Sequence, residues 1–221
     1  MTTLAVPPRT AAVSLGVSGA LVACVLPLHP SILDRPVDVV VRGTPLWEPI
    51  HIALMLVVIL AAIGAGGLVA VHREALGRLG RVGLILTLVG SYAGFALFAG
   101  EAFYFPAMAA QAPRLLQLQG PLLVTVPFIG LGLLMACWPL GLGLLGLASA
   151  RAAVFPRRAG VLLAATALGY LVLGLPFVPV AGILSEVLFG AVQVWWCLLL
   201  WRGATVRAAA SKVTPAVGRP A

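Results

Sequence analysis

Six stretches of nearly unbroken apolar residues, separated by short segments that hold most of the charge, set the pattern of this chain: 10–28, 49–71, 82–104, 121–147, 159–178 and 180–201. Each is about 20 residues or longer, enough at 1.5 Å per helical residue to cross roughly 30 Å of hydrocarbon. The pattern predicts an all-α integral membrane protein, a six-transmembrane-helix bundle formed by residues 1–202. The segments between the stretches are too short for a separate soluble domain. From 203 to 221 the chain is basic and rich in alanine, with Pro215 and Pro220, and is expected to be a disordered tail beside an anionic membrane surface.

Charge orients the bundle. With the N-terminus inside, Arg9, Arg73, Arg78, Arg81, Arg151, Arg157, Arg158, Arg202, Arg207, Lys212 and Arg219 fall on the inner side and only Arg35, Arg42 and Arg114 on the outer. Inner loops carry the excess of Lys and Arg in membrane proteins. Both termini are therefore expected inside a cell membrane, and an even number of spans follows. Trp195, Trp196 and Trp201 then mark an inner interface, and Trp47 and Tyr104 an outer one, as interfacial rings do. Trp138 falls mid-span, where its indole N–H is expected to find an acceptor on a neighbouring helix.

Composition narrows the class. Of 221 residues, 62% are apolar and 9% charged, with a mean hydropathy of +1.12 and a net charge of +8, whereas soluble domains carry about 25% charge. This excludes a soluble enzyme of the dinucleotide-binding type, a disulfide scaffold and a solvated nucleic-acid binder. The bilayer is the expected partner, with protein partners or a homo-oligomer left open. The string LVAC ending at Cys24 matches a lipid-modified cysteine signal, but the spans that follow favour a retained first helix.

Helices in lipid adhere by close backbone approach, which small residues four apart on one face permit. Ser14 and Ser18, then Ala62, Gly66 and Ala70, then Gly90 and Gly94, then Gly132 and Ala136 fit that spacing. The fourth span also contains Pro127 and Pro139, each of which removes a backbone N–H, and a kinked helix is expected there. The loop after the first span, 29–48, is expected to fold over the bundle.

Few polar side chains lie within the spans. Glu186 stands inside the sixth, where an ionised carboxylate costs a few kcal/mol or more. Glu186, Gly190, Gln193 and Cys197 fall on one helical face, a narrow polar stripe expected to point inward. Glu101 shares the face of Gly90 and Gly94. With His51 and Arg114 at similar depth, these groups are the candidate ligand- or proton-binding site: Glu101, Glu186, His51, Arg114 and Gln193. The same residues read equally well as salt bridges tying loops to helices.

No catalytic or metal residues are assigned and no cofactor is expected. Among the histidines, His51 and His72 lie about 31 Å apart along one helix, so only His29 and His51 could share an iron. The three cysteines lie at different depths, and no nucleophile, zinc-protease or phosphate-loop motif occurs. Two readings of function remain. One is a small-molecule or proton-coupled carrier with an outward-facing site, its fourth span moving. The other is a non-catalytic subunit or scaffold packed against partner proteins.

Overall fold

A backbone surrounded by hydrocarbon must satisfy its own polar groups, which favours helix throughout. Among the described residues every element is helical and no strand occurs. The computed structural model describes residues 6–32, 35–117, 119–176 and 178–213, with side chains as far as 203. The helices are α1 (Pro8–Val25), α2 (Val37–Gly43), α3 (Trp47–Phe103), α4 (Phe105–Gln111), α5 (Val126–Met135), α6 (Cys137–Ala152), α7 (Arg157–Gly169) and α8 (Ala181–Val213). Five helical segments are long and apolar enough to cross a membrane: Pro8–Leu28, Trp47–Phe103, Val126–Ala152, Arg157–Gly174 and Ala181–Gly203. The chain has the make-up of a multi-pass membrane protein.

The 57 residues of α3 cover two of the expected spans. Helical geometry breaks at His72 (φ −122°, ψ 24°) and at Gly77 (φ 58°, ψ −147°). The ends meet, because the Trp47 Nε1–H donates to the Glu101 carbonyl at 2.7 Å. The segment is therefore a hairpin, and Gly77 adopts at its bend a positive φ that a residue with a Cβ resists.

α1 packs between α8 and the first arm of α3, while α6 packs on the second arm and on α7. Small residues set these distances. A Cβ on Gly90 would overlap the backbone of Trp138, and Gly19 and Gly190 face each other's carbonyls across the α1–α8 seam. Ser14, Ser18, Gly90 and Gly94 are buried, as their spacing predicted. Two other small-residue faces differ from expectation: a Cβ on Gly66 or on Gly132 would meet nothing within 4 Å. The first arm of α3 instead turns Ala61, Gly64, Ala65 and Leu68 inward, with Gly64 against Leu15 and Gly67 against Ala11. Ala and Gly are so frequent here that four-residue spacings occur on both faces.

The expected fourth span, 121–147, becomes α5 and α6, separated at Ala136. Pro127 lies in the first turn of α5, where its missing N–H costs nothing, and the Thr125 hydroxyl accepts from Phe128 N at 3.4 Å. No residue of α5 is buried. α2 and α4 fold over one end of the bundle, as expected of the first loop, and build a small second core from Val37, Val40, Val41, Trp47, Phe105, Ala109 and Leu116.

Three tryptophans depart from the sequence reading. Trp47 and Trp196 are buried, not interfacial: the Trp196 N–H donates to the Ala159 carbonyl at 3.0 Å. The Trp138 N–H meets no acceptor among the described residues, and its ring packs on Tyr170 and Phe189 instead. α8 continues to Val213, into the expected tail, because Ala204, Ala208, Ala209 and Ala210 are strong helix formers; the last eight positions, 214–221, lie outside the described residues.

Candidate functional site

The end of the bundle beneath α2 and α4 gathers most of the chain's buried ionisable groups. A one-turn helix, Leu26–Leu28, stops α1, and the His29 N–H closes it on the Leu26 carbonyl at 2.9 Å. His29 is thereby held over the bundle, with its ring 5.0 Å from that of His51 and 5.6 Å from that of Trp47. His51, one turn into α3, is fully buried.

The hydrogen-bond pattern assigns the protons of this cluster. His51 Nδ1 lies 2.7 Å from the Trp47 carbonyl, and a carbonyl only accepts, so Nδ1 carries a hydrogen. His51 Nε2 then faces two neighbours, His29 Nε2 at 3.2 Å and Glu101 Oε2 at 3.2 Å. In a neutral His51 this nitrogen is a lone pair and would oppose an ionised Glu101. His29, His51 and Glu101 thus form one contiguous cluster of polar groups at this end of the bundle. Burial first, and the neighbouring His51 second, push the His29 imidazole down to about 3, so His29 is neutral at ordinary pH.

Beside the cluster lies a cavity of about 210 Å³. Glu101 and Glu186 both line it, with His29, Trp47 and the aromatic rings of Phe98, Phe105, Phe128 and Tyr170. The remaining wall is aliphatic. Glu186 is only 4% exposed, and among the described residues no hydrogen bond or ion pair engages its carboxyl. Behind Tyr170 stand Phe189, stacked at 5.3 Å, and Trp138, edge-on at 5.7 Å. Tyr170 opens a π-helical turn, Tyr170–Gly174, whose residue Gly174 also lines the cavity; such turns concentrate at functional positions.

Of the residues picked out from sequence, the structure brings Glu101 and Glu186 to one cavity, with His51 directly behind Glu101. Gln193 lies elsewhere, fully buried on the α1–α8 seam, its Oε1 accepting from Ser18 Oγ at 3.4 Å. The stripe it belongs to does face inward: Gly190 meets Gly19, and Cys197 lies against Gly16. Arg114 sits exposed on the short turn Pro113–Leu116 and does not line the cavity; the Pro before it directs that turn so that Leu116, not Arg114, is buried.

Trp47, Tyr170 and the phenylalanines escaped the sequence reading, because an aromatic in an apolar run carries no signal of what it faces. His29 had one: an imidazole between Pro27 and Pro30, just past a span, is held close to the bundle end. Among the described residues no three His, Cys, Asp or Glu side chains are placed to hold a metal ion. Comparison of the chain with protein-family models, with curated proteins and with solved structures finds no match.

Proposed function

We propose that this protein is a six-pass carrier of the cell membrane, both termini inside, which moves a small solute, coupled to protons, through an outward-facing site. The observation that carries the reading is the shared cavity. Two acids from different passes, Glu101 and Glu186, line one mostly apolar hollow, beside a histidine pair. Ligand sites have this make-up, apolar walls with a few converging polar groups, and intramembrane acids mark substrate and proton routes. A scaffold using its acids only to tie loops to helices would hold each in its own ion pair, and among the described residues Glu186 has none.

The hairpin of α3, added to the other four long segments, supports a reading of six passes. The orientation rests on the sequence, in which this topology assigns eleven basic residues to the inner side and three to the outer. The part best suited to move is the fourth pass, kinked near Ala136, because α5 covers the cavity with Phe128 and Met135 yet buries no residue of its own.

The test uses purified protein in vesicles that enclose a pH-sensitive dye, challenged in turn with small amines, carboxylates and neutral solutes. A solute-dependent proton flux that Glu186→Gln abolishes is expected. Folded protein that moves protons with none of them refutes the carrier. Orientation is checked separately: in a cysteine-free background, Glu74→Cys should resist a membrane-impermeant label added outside intact cells, and labelling there would invert the topology.

A further inference from the structure

We propose that the cavity takes a compact organic cation with an apolar body, and that the cation exchanges for one proton on Glu186. This rests on reading the cavity as a binding site and names what it binds. Glu186 is 4% exposed as a residue, and within a membrane a carboxyl group with no hydrogen bond or ion pair among the described residues favours carrying a proton or meeting a positive charge. Among the described residues no such charge is offered. Neither Lys nor Arg lines the cavity, and Arg114 is exposed on its own turn.

The other titratable groups facing this space are His29 from the end of α1, Glu101 and, behind it, His51 from α3, and Tyr170 from the π-helical turn. Glu101 and His51 answer each other at 3.2 Å, and His29 stays neutral. Glu186 is thus the one uncompensated acid. When it is protonated the cavity is neutral. When it is ionised the cavity holds a single negative charge that a monovalent cation cancels.

The walls decide which cation. Trp47, Phe98, Phe105, Phe128 and Tyr170 line the cavity, and aromatic side chains attract organic cations and accommodate their apolar parts. They supply few oxygens to replace the water around an inorganic ion. An anion would meet two acids. A volume of about 210 Å³, the share of roughly seven waters in the liquid, restricts the guest to something compact. Glu186, His29 and Leu26 also line a second hollow of about 390 Å³ beside the turn at 178–183. Glu186 therefore stands in the wall between the two, where a proton can leave as the cation docks. The exchange balances: the carboxylic acid loses one proton to solvent, the carboxylate pairs with one cation, and the net charge of the site is unchanged.

The experiment is calorimetry on the full-length protein in detergent, with benzyltrimethylammonium as the cation and 2,2-dimethyl-3-phenylpropanol as an uncharged compound of similar shape. Repeating it in buffers of different ionisation enthalpy counts the protons released. We expect the cation to bind at least tenfold more tightly than the alcohol and to release one proton. Its apparent affinity should weaken by about tenfold per pH unit on the acid side. Glu186→Gln should abolish the release and reduce cation affinity at least tenfold while leaving the alcohol unaffected. If that variant does not fold, the proton count and the cation-to-alcohol ratio of the unaltered protein decide alone. Equal binding of both compounds without proton release overturns the cation class and leaves a binding site. Proton release that persists in a folded Glu186→Gln overturns the assignment to Glu186, and binding of neither compound overturns the proposal. Cation binding without transport in vesicles would instead defeat the carrier and spare the inference.

Discussion

One chemical change made at three glycines should give opposite results, because only one of the three faces backbone across a helix seam. At Gly90 an added methyl overlaps the backbone of Trp138, where ordinary contact needs 3.4–4 Å. Backbone cannot swing aside like a long side chain, so α3 and α6 must part, and overpacking of this kind costs about 1–3 kcal/mol. Ala in place of Gly within a helix returns roughly 0.5–1 kcal/mol. Gly90→Ala should therefore destabilise by about 1–2 kcal/mol. At Gly66 and Gly132 nothing lies within 4 Å of the new methyl, so only the favourable helix-propensity effect remains, and each variant should gain about 0.5–1 kcal/mol. The separation between Gly90→Ala and the other two, about 2 kcal/mol, is measurable by reversible unfolding in mixed micelles of mild detergent and SDS. Equal stability of Gly90→Ala and Gly66→Ala would refute the contact. Because Trp138 backs Tyr170 at 5.7 Å, Gly90→Ala should also weaken any ligand of the cavity, though it touches no cavity residue.

Three further outcomes are expected. His29 is held down to about 3 against an ordinary 6.5, so the unfolded chain binds this proton more readily. The stability that the neutral ring contributes is complete above pH 6.5 and falls between 6.5 and about 3, by up to about 1.4 kcal/mol per pH unit; His29→Phe should flatten that slope in a pH series of unfolding midpoints. Val180 has a φ of 59°, a strained value for a β-branched residue that costs on the order of 1–3 kcal/mol, so Val180→Gly should raise the thermal midpoint in detergent, and an unchanged or lower midpoint would refute the strain. A double-mutant cycle of His51→Phe and Glu101→Gln should give a coupling of about 0.5–3 kcal/mol across their 3.2 Å contact; strict additivity would show that the pair is not formed.

The helices and their approximate limits were legible because the requirement for apolar length in a bilayer is severe, and few other folds satisfy it. Glu186 was legible for the same reason, since an acid there must face protein. Facing directions within α3 were not. The spacing of Ala62, Gly66 and Ala70 is as good as that of Ala61 and Ala65, and only the path of α1 across this helix selects the second set. Arg114 shows another limit: a charge count gave its side of the bundle, but its direction depends on the turn at Pro113. Trp47 was misread because interfacial and buried tryptophans occur at the same helix ends, and the difference lies in α2 and α4, short amphipathic pieces that cover it.

The positions of the polar groups also indicate how such a site would open. The seam of α1, α3 and α8 is tied in the interior by Ser18 Oγ donating to the Val57 carbonyl at 3.0 Å and contacting Gln193, with Gly19 against Gly190. Separating these helices would strand buried hydrogen-bonding groups in a solvent that offers no replacements. α5 has no such tie. It has no buried residue and contributes Phe128 and Met135 to the cavity wall. Across the cavity, the π-helical turn at Tyr170–Gly174 leads through the strained Val180 to Glu186. In the proposed carrier, opening at α5 and at that turn would expose both acids while leaving the α1–α8 seam closed, because among the described residues the supports there hold no such buried hydrogen bonds.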